Sequence, residues 1–514
     1  MTRFRFSWAH GWCLGLVLAS GLSSLPIPFM GDQALFTVGA RMMSEGSVLY
    51  RDFWDLKPPG ILFFYLAGGS LFGFHELGIH TLELLYFLAF GITLFVSLAG
   101  RYENPIVTPL VPVLTIGLYF AVAESWHLTQ VEALVGYPIY LSLWLCCRAV
   151  ETKRAKHFFL AGACGGVALV FKPLFLAVLA PIWIAVLIGD FRDMRIRAPA
   201  ARVLVFLLLG LGVPLVSVGA YFAFEGTLSE AYQAIFVIPS RVANDYYGRN
   251  AARFLESLQW FARWSSPLLG LAAVAFASGR AMRDPVSRGA LAWLLSGAGV
   301  TFMQMGWPYH FMLLVWPLGI VAAAGLDVLL THLKPLWAGK SSLLRSVALI
   351  LVLSTFFFPA VLNLAGKVRH LLPPLSSPTA RSWIDYRARV QPWYAQVLAD
   401  VAFLPKTTSP RFDLYVFGDP LYLYLSGRIQ PVPINGWSPE FLLPDQWIVL
   451  EKDLEGAEPS YVFVQDYNDE LIRQRCPAVL NWLENRYSVI KKSERGTWYQ
   501  RIARRALLGF QSKQ

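Results

Sequence analysis

Between Asp32 and Gly60 the chain reads DQALFTVGARMMSEGSVLYRDFWDLKPPG, a stretch flanked by two hydrophobic segments. It holds Asp32, Asp52 and Asp55, and it places Lys57 directly before Pro58 and Pro59. Carboxylates can take or orient the proton of an attacking hydroxyl, and an ammonium can neutralise a phosphate. Each proline disfavours the α region for its predecessor, so Lys57 and Pro58 are expected to be extended, with the lysine projecting from a stiff backbone. A plainer reading stands beside this one. Lys57 can be a surface lysine snorkelling at a membrane boundary, where Tyr50, Phe53 and Trp54 suit an interfacial belt. Asp32 is a favoured helix N-cap, and Leu35, Val38 and Met42 follow it at helical spacing. Capping and chemistry are compatible, because an ordered helix start holds a carboxylate rigidly.

Three further segments carry polar groups in apolar surroundings. Lys172 lies in GACGGVALVFKPLFLAVLAP, a run too apolar for a lipid-facing lysine. Tyr309 and His310 lie in GWPYHFMLLVWPLGIVAAAGL; the bland role for His310 is to satisfy a buried backbone group. Glu124, His127 and Glu132 fall in AESWHLTQVEALVGYP. Their spread does not specify a ligand geometry, so a solvated loop is the expectation there.

These residues need a frame, and composition says which. Hydrophobic residues make up 56% of the 514 and charged ones 15%, with mean hydropathy +0.48; soluble chains carry about 25% charged residues. The chain reads as a polytopic α-helical membrane protein. Its formal charge of +11 does not indicate nucleic acid, because the cations sit in short loops between apolar runs. None of the five cysteines has metal-ligand spacing, and the adjacent Cys146 and Cys147 read as packed thiols. Arg3 and Arg5 precede the first apolar run without a convincing cleavage site after it, which predicts a retained first helix.

Apolar runs near 11–29, 77–99, 105–122, 133–149, 158–173, 175–190, 203–224, 265–279, 289–305, 309–330 and 344–365 predict about 11 crossings, with 60–75 re-entrant or interfacial. With the N-terminus inside, the inner loops carry Arg101; Arg148, Lys153, Arg154 and Lys156; Arg192, Arg195 and Arg197; Arg280, Arg283 and Arg288; and Lys334, Lys340 and Arg345. The short outer loops around Glu124–Glu132 and Gly306–Tyr309 contain no lysine or arginine. The long outer loop 225–264 carries Arg241, Arg249, Arg253 and Arg263, but long loops count little in this rule. Residues 30–76 and the C-terminal region are then outside. From 367 onward, DLYVFG, PVPING and SYVFVQ read as buried strands and CPAVLNWLENRY as an amphipathic helix, predicting a small extracytoplasmic α/β domain over 367–514. It shows no nucleophile or metal constellation, which favours a structural lid or packing domain.

The early outside Asp, the amphipathic helix and the pattern Y-x-D-x-W-D-x-K-P-P-G resemble the GT-C superfamily. More narrowly, the chain is similar to bacterial relatives of protein O-mannosyltransferases and of the lipid A aminoarabinose transferase. The segments around Lys172 and around Tyr309-His310-Phe311 agree with that resemblance, although the order of the His-Tyr pair departs from it. So does Gln33, where protein mannosyltransferases typically carry Glu. The resemblance implies a GT-C-like catalytic domain over 1–366 and a polyprenyl-phosphate sugar donor. It also implies an extracytoplasmic acceptor (lipid, glycan or protein), membrane lipid around the chain and inversion at the anomeric carbon. Asp32 is then the base or acceptor-orienting carboxylate and Asp55 assists it. Lys57 and Lys172 hold the phosphate, with His310 and Tyr309 as further contacts. No cofactor is specified; some GT-C enzymes use a divalent metal. The location implied is a bacterial inner membrane with a periplasmic C-terminal domain. A transporter or lipid-sugar flippase is the alternative, but the chain has no second copy of the Asp…KPPG pattern and no symmetric halves.

Overall fold

The computed structural model describes residues 6–192, 200–245, 251–304, 306–337, 355, 357–406 and 411–502. The chain divides into two compact units: Met1–Ile27, Glu76–Ala220 and Arg249–Thr379 in one, and Pro28–His75, Tyr221–Gly248 and Ala380–Gln514 in the other. The expected boundary at 367 falls inside the helix Phe358–Ser376.

The first unit is helical and belongs to a multi-pass membrane fold. Among the described residues, Glu76–Leu98, Val131–Thr152, Ala201–Phe224 and Pro308–Leu333 are long and apolar enough to cross a bilayer. Shorter apolar helices cover Trp8–Leu22, Val107–Val122, Ala155–Phe171 and Pro173–Ile188, and the helices Ala251–Ala277 and Pro285–Met303 complete the set that bears on the site. Pro112 removes one rung of the hydrogen-bond ladder, and the helix relaxes through a π-helical turn at Val113–Gly117. Pro308–Leu333 is the most buried of the four long helices. The expected span 344–365 falls largely outside the described residues, as do Arg195, Arg197, Arg249, Lys340 and Arg345.

The arginines expected in the inner loops do more than orient. Arg101 pairs with Glu151 at 2.7 Å and Asp284 at 2.9 Å, while Arg280 pairs with Asp327 at 3.4 Å. Asp327 also accepts from the backbone N–H groups of Glu103 and Asn104. These contacts tie segments distant in the sequence together within the unit.

In the second unit the helices Asp32–Ser44 and Pro59–Phe72 pack on each other. The C-terminal residues form a four-stranded sheet: β1 (Leu414–Phe417), β2 (Tyr461–Gln465), β3 (Tyr487–Ser493) and β4 (Gly496–Arg501), in the order β1-β2-β4-β3. β1 and β2 are parallel; β4 is antiparallel to both its neighbours. Tyr415, Phe417, Val462 and Val464 point into a core closed by Trp447 and Leu450 of the helix Pro444–Ala457. DLYVFG and SYVFVQ supply β1 and β2, and CPAVLNWLENRY supplies the helix Pro477–Arg486. PVPING is not a strand. Pro431 and Pro433 lack N–H donors, and the segment makes only isolated bridges, Ile434 with Trp54 and Gly436 with Phe417. The β3–β4 hairpin was not expected, because its outward-facing lysines and serines mask the alternation.

Candidate active site

Residues 32–60 fold within the second unit. Gly31, not Asp32, is the N-cap; its φ is positive (49°), and Asp32 is the first helical residue. The capping expectation therefore fails, and the carboxylate turns elsewhere. Asp32 Oδ1 accepts from Trp437 Nε1 at 2.7 Å, and Oδ2 lies 3.4 Å from Lys57 Nζ. Lys57 is held as the prolines suggest: Pro58 is extended (ψ 159°) at the N-cap of Pro59–Phe72. The Lys57 carbonyl accepts from Tyr50 OH at 2.9 Å.

Asp55 sits under the same turn. Its Oδ1 accepts from Lys57 N at 3.3 Å, while the buried Oδ2 accepts no hydrogen bond among the described residues. Burial pushes its carboxyl up to about 7, against the opposing pull of the Lys57 ammonium. Asp52 has a structural task, accepting from Val48 N at 2.7 Å and pairing with exposed Arg51. Tyr50 and Phe53 are buried rather than belt residues; Tyr50 packs against Phe222.

A second polar cluster forms in the first unit. Lys172 terminates the helix Ala155–Phe171 in extended backbone, just before the turn Pro173–Phe175. Its Nζ reaches Glu132 Oε1 at 3.0 Å and bonds the Gln304 amide oxygen. His310 Nε2 lies 3.9 Å from the same Glu132 oxygen, and the Tyr309 ring meets the His310 ring edge-on at 4.5 Å. Sequence reasoning set Glu132 aside in a solvated loop, as it did His127. Both are buried, at 1% and 0% exposed. The missed signal was the pairing rule: a lysine needed at the end of an apolar helix requires a carboxylate, and Glu132 sits in an equally apolar run.

The segment that leads into the helix start bearing Glu132 is anchored by buried groups. Glu83 accepts from Tyr119 OH (2.5 Å), Thr129 N (2.7 Å) and Thr129 Oγ1 (3.0 Å). Lys367 donates to the Phe120 and Ala123 carbonyls, and His127 stacks on Trp260 at 4.3 Å. Glu124, His127 and Glu132 do not fit a metal: Glu132 is engaged by Lys172, His127 by Trp260, and Glu124 accepts from Trp126. Among the described residues no three His, Cys, Asp or Glu side chains gather as a ligand set.

The expected residues thus fall into two groups, Asp32, Asp55 and Lys57 in one unit and Lys172, His310 and Tyr309 in the other. Residues 56–218, which include Lys57, Glu132 and Lys172, match the family described as dolichyl-phosphate-mannose-protein mannosyltransferase. ArnT from Cupriavidus metallidurans, solved bound to undecaprenyl phosphate, is similar over 96% of this chain and 98% of that one, with a TM-score of 0.57 at 16% identity. The archaeal oligosaccharyltransferase AglB from Archaeoglobus fulgidus, solved with an inhibitory peptide and a dolichol-phosphate, is similar over 96% of this chain and 75% of that one, with a TM-score of 0.50 at 12% identity. No curated protein sequence matches the chain. At such identities the likeness is one of fold: the chain shares the GT-C fold of these membrane glycosyltransferases, and its segment 56–218 is similar to the mannosyltransferase family.

Proposed function

We propose that the protein transfers a sugar from a polyprenyl-phosphate donor to a hydroxyl-bearing extracytoplasmic acceptor, with inversion. The observation that carries this is the Asp32–Lys57 pair: a carboxylate and an ammonium 3.4 Å apart on rigid helix starts, beside buried Asp55. The donor class is supported by the lipid phosphates bound in the two similar structures, undecaprenyl phosphate in ArnT and dolichol-phosphate in AglB.

In the proposed step the acceptor oxygen bonds to the anomeric carbon as the bond from that carbon to the phosphate oxygen breaks. The acceptor proton passes to Asp32, or to solvent water while Asp32 orients the hydroxyl; polyprenyl phosphate departs with the bonding pair. Lys57 meets the growing phosphate charge, and Lys172, aligned by Glu132 and next to His310 and Tyr309, is the second cation assigned to it. The sugar passes through an oxocarbenium-like state, and with no covalent nucleophile a single displacement inverts it. Asp55 assists by holding the Lys57 turn. The threading that serves this chemistry has about 11 spans. Its N-terminus is in the cytoplasm of a bacterial inner membrane and its C-terminal α/β domain is outside. In its favour, the three segments that make up the second unit are those the loop charges put outside.

Membrane vesicles given polyprenyl-phosphate sugars labelled in the sugar test the proposal. Label must appear on an acceptor with wild-type protein and vanish with Asp32→Asn at equal membrane expression. Label that crosses the bilayer with its phosphate bond intact would identify a flippase instead.

A further inference from the structure

The C-terminal sheet domain sends one loop, 427–437, into the Asp32 region within the second unit. Gly436 presses that loop onto β1: Gly418 N donates to the Gly436 carbonyl at 2.9 Å, and a Cβ on Gly436 would stand 2.1 Å from the Val416 carbonyl oxygen. The loop then grips residue 54 from both sides. Trp54 N donates to the Pro433 carbonyl at 2.9 Å, and Asn435 Nδ2 donates to the Trp54 carbonyl at 2.7 Å. Asn435 Oδ1 in turn accepts from Trp437 N at 3.0 Å, which sets the direction of the indole.

Two contacts on Asp32 and its neighbour complete the arrangement. The Trp437 indole N–H donates to Asp32 Oδ1 at 2.7 Å, and a Cβ on Gly31 would stand 3.0 Å from Trp437 Cζ2, so the ring fits only against glycine. Asp419, at the end of β1, accepts from the Gly31 backbone and from Trp393 Nε1 at 2.7 Å. The first helix therefore begins in a bracket built by the last part of the chain. Its carboxylate has one oxygen fixed by an uncharged donor, and the other faces Lys57.

We propose that Trp437 is a positioning residue for sugar transfer, and that loop 427–437 makes the C-terminal domain an integral part of the catalytic apparatus rather than a lid over it. The inference rests on the donor reading above. A carboxylate free to rotate would sample orientations unfit for an acceptor hydroxyl, and a mistake of about 1 Å can cost about 100-fold in rate. The indole N–H removes that freedom without adding a charge that would compete with Lys57.

The test is Trp437→Phe, which keeps a ring and deletes the donor. The expected result is a kcat lower by about 10- to 100-fold, the size of a hydrogen bond to a charged group, with the donor KM and the melting temperature unchanged. A second readout does not depend on turnover. In protein labelled with 15N-tryptophan, the indole resonance that disappears in Trp437→Phe should move when Asp32→Asn removes the charge. Wild-type kcat in Trp437→Phe, a loss explained by a matching fall in melting temperature, or an indole resonance indifferent to Asp32→Asn would each overturn the inference. Wild-type protein that moves no sugar from a lipid-phosphate donor would overturn the donor reading and the catalytic role together, leaving the resonance to judge the contact alone.

Discussion

Glu132 and Lys172, forty positions apart in the sequence, meet at 3.0 Å with the glutamate almost wholly buried. The pair is unequal: 22% of the Lys172 side chain is exposed and 2% of Glu132. Removing the lysine takes the ammonium away from a buried carboxylate, whereas removing the glutamate leaves a lysine that can turn towards water. Lys172→Ala should therefore destabilise the protein by on the order of 3 kcal/mol and Glu132→Ala by less. The double variant should recover most of the lost stability and none of the transfer activity. Thermal unfolding in detergent beside the vesicle assay checks both halves; a double variant that is active would make the pair purely structural.

Lys57 is the residue whose role the assay can isolate most cleanly. Lys57→Ala is expected to weaken binding of a polyprenyl phosphate probe by about tenfold or more, in line with loss of one charge-assisted contact. Titration of the purified protein measures it. Unchanged affinity would return Lys57 to the role of a snorkelling lysine that merely steadies Asp32.

The reasons these residues could be found in the sequence, and others not, are physical. Lys57 and Lys172 announced themselves because charges beside prolines in apolar runs are costly unless used. Much of the helical character was legible because long apolar runs stand out along the chain, and four of the described helices are long enough to cross a bilayer. Glu132 looked like a loop residue because burial of the segment before its helix depends on Glu83, Thr129 and Lys367, whose bonds join distant segments. Trp437 was invisible for the same reason. Its partner lies at position 32, and no local pattern in PVPINGWSP speaks of a carboxylate. PVPING misled because its apolar alternation is that of a strand, while its prolines deny it a ladder.

Asp55 gives a pH dependence with a definite sign. Its carboxyl rises from 3.8 to about 7 in the folded protein. Below 3.8 both states carry the proton. Between that value and about 7 the folded state holds a proton that the unfolded state has released, so stability falls as pH rises through this window, by at most about 1.4 kcal/mol per pH unit, and is level above it. Asp55→Asn should flatten that part of the curve and melt higher than wild type at pH 8. Melting temperatures from pH 4 to 8 decide it; an unchanged slope would mean that another group carries the titration.

Gly436 is a steric requirement. With the Val416 carbonyl oxygen 2.1 Å from where a Cβ would stand, Gly436→Ala must push the loop off β1. The expected cost is about 1–3 kcal/mol in stability, with Asn435 and Trp437 displaced. Transfer should fall further than in Trp437→Phe, since both grips on residue 54 loosen as well. Equal activity in the two variants would confine the loop's contribution to the single indole bond.

The bond between Trp437 and Asp32 spans 405 positions of the chain, and that separation has a consequence in time. A ribosome adding about 5–20 residues per second makes Asp32 roughly 20–80 s before it makes Trp437. Throughout that interval the nascent protein has Asp32 and Lys57 but lacks the bracket that aims the carboxylate. If Trp437 positions Asp32 as proposed, no copy holds that arrangement until its sheet domain has been made.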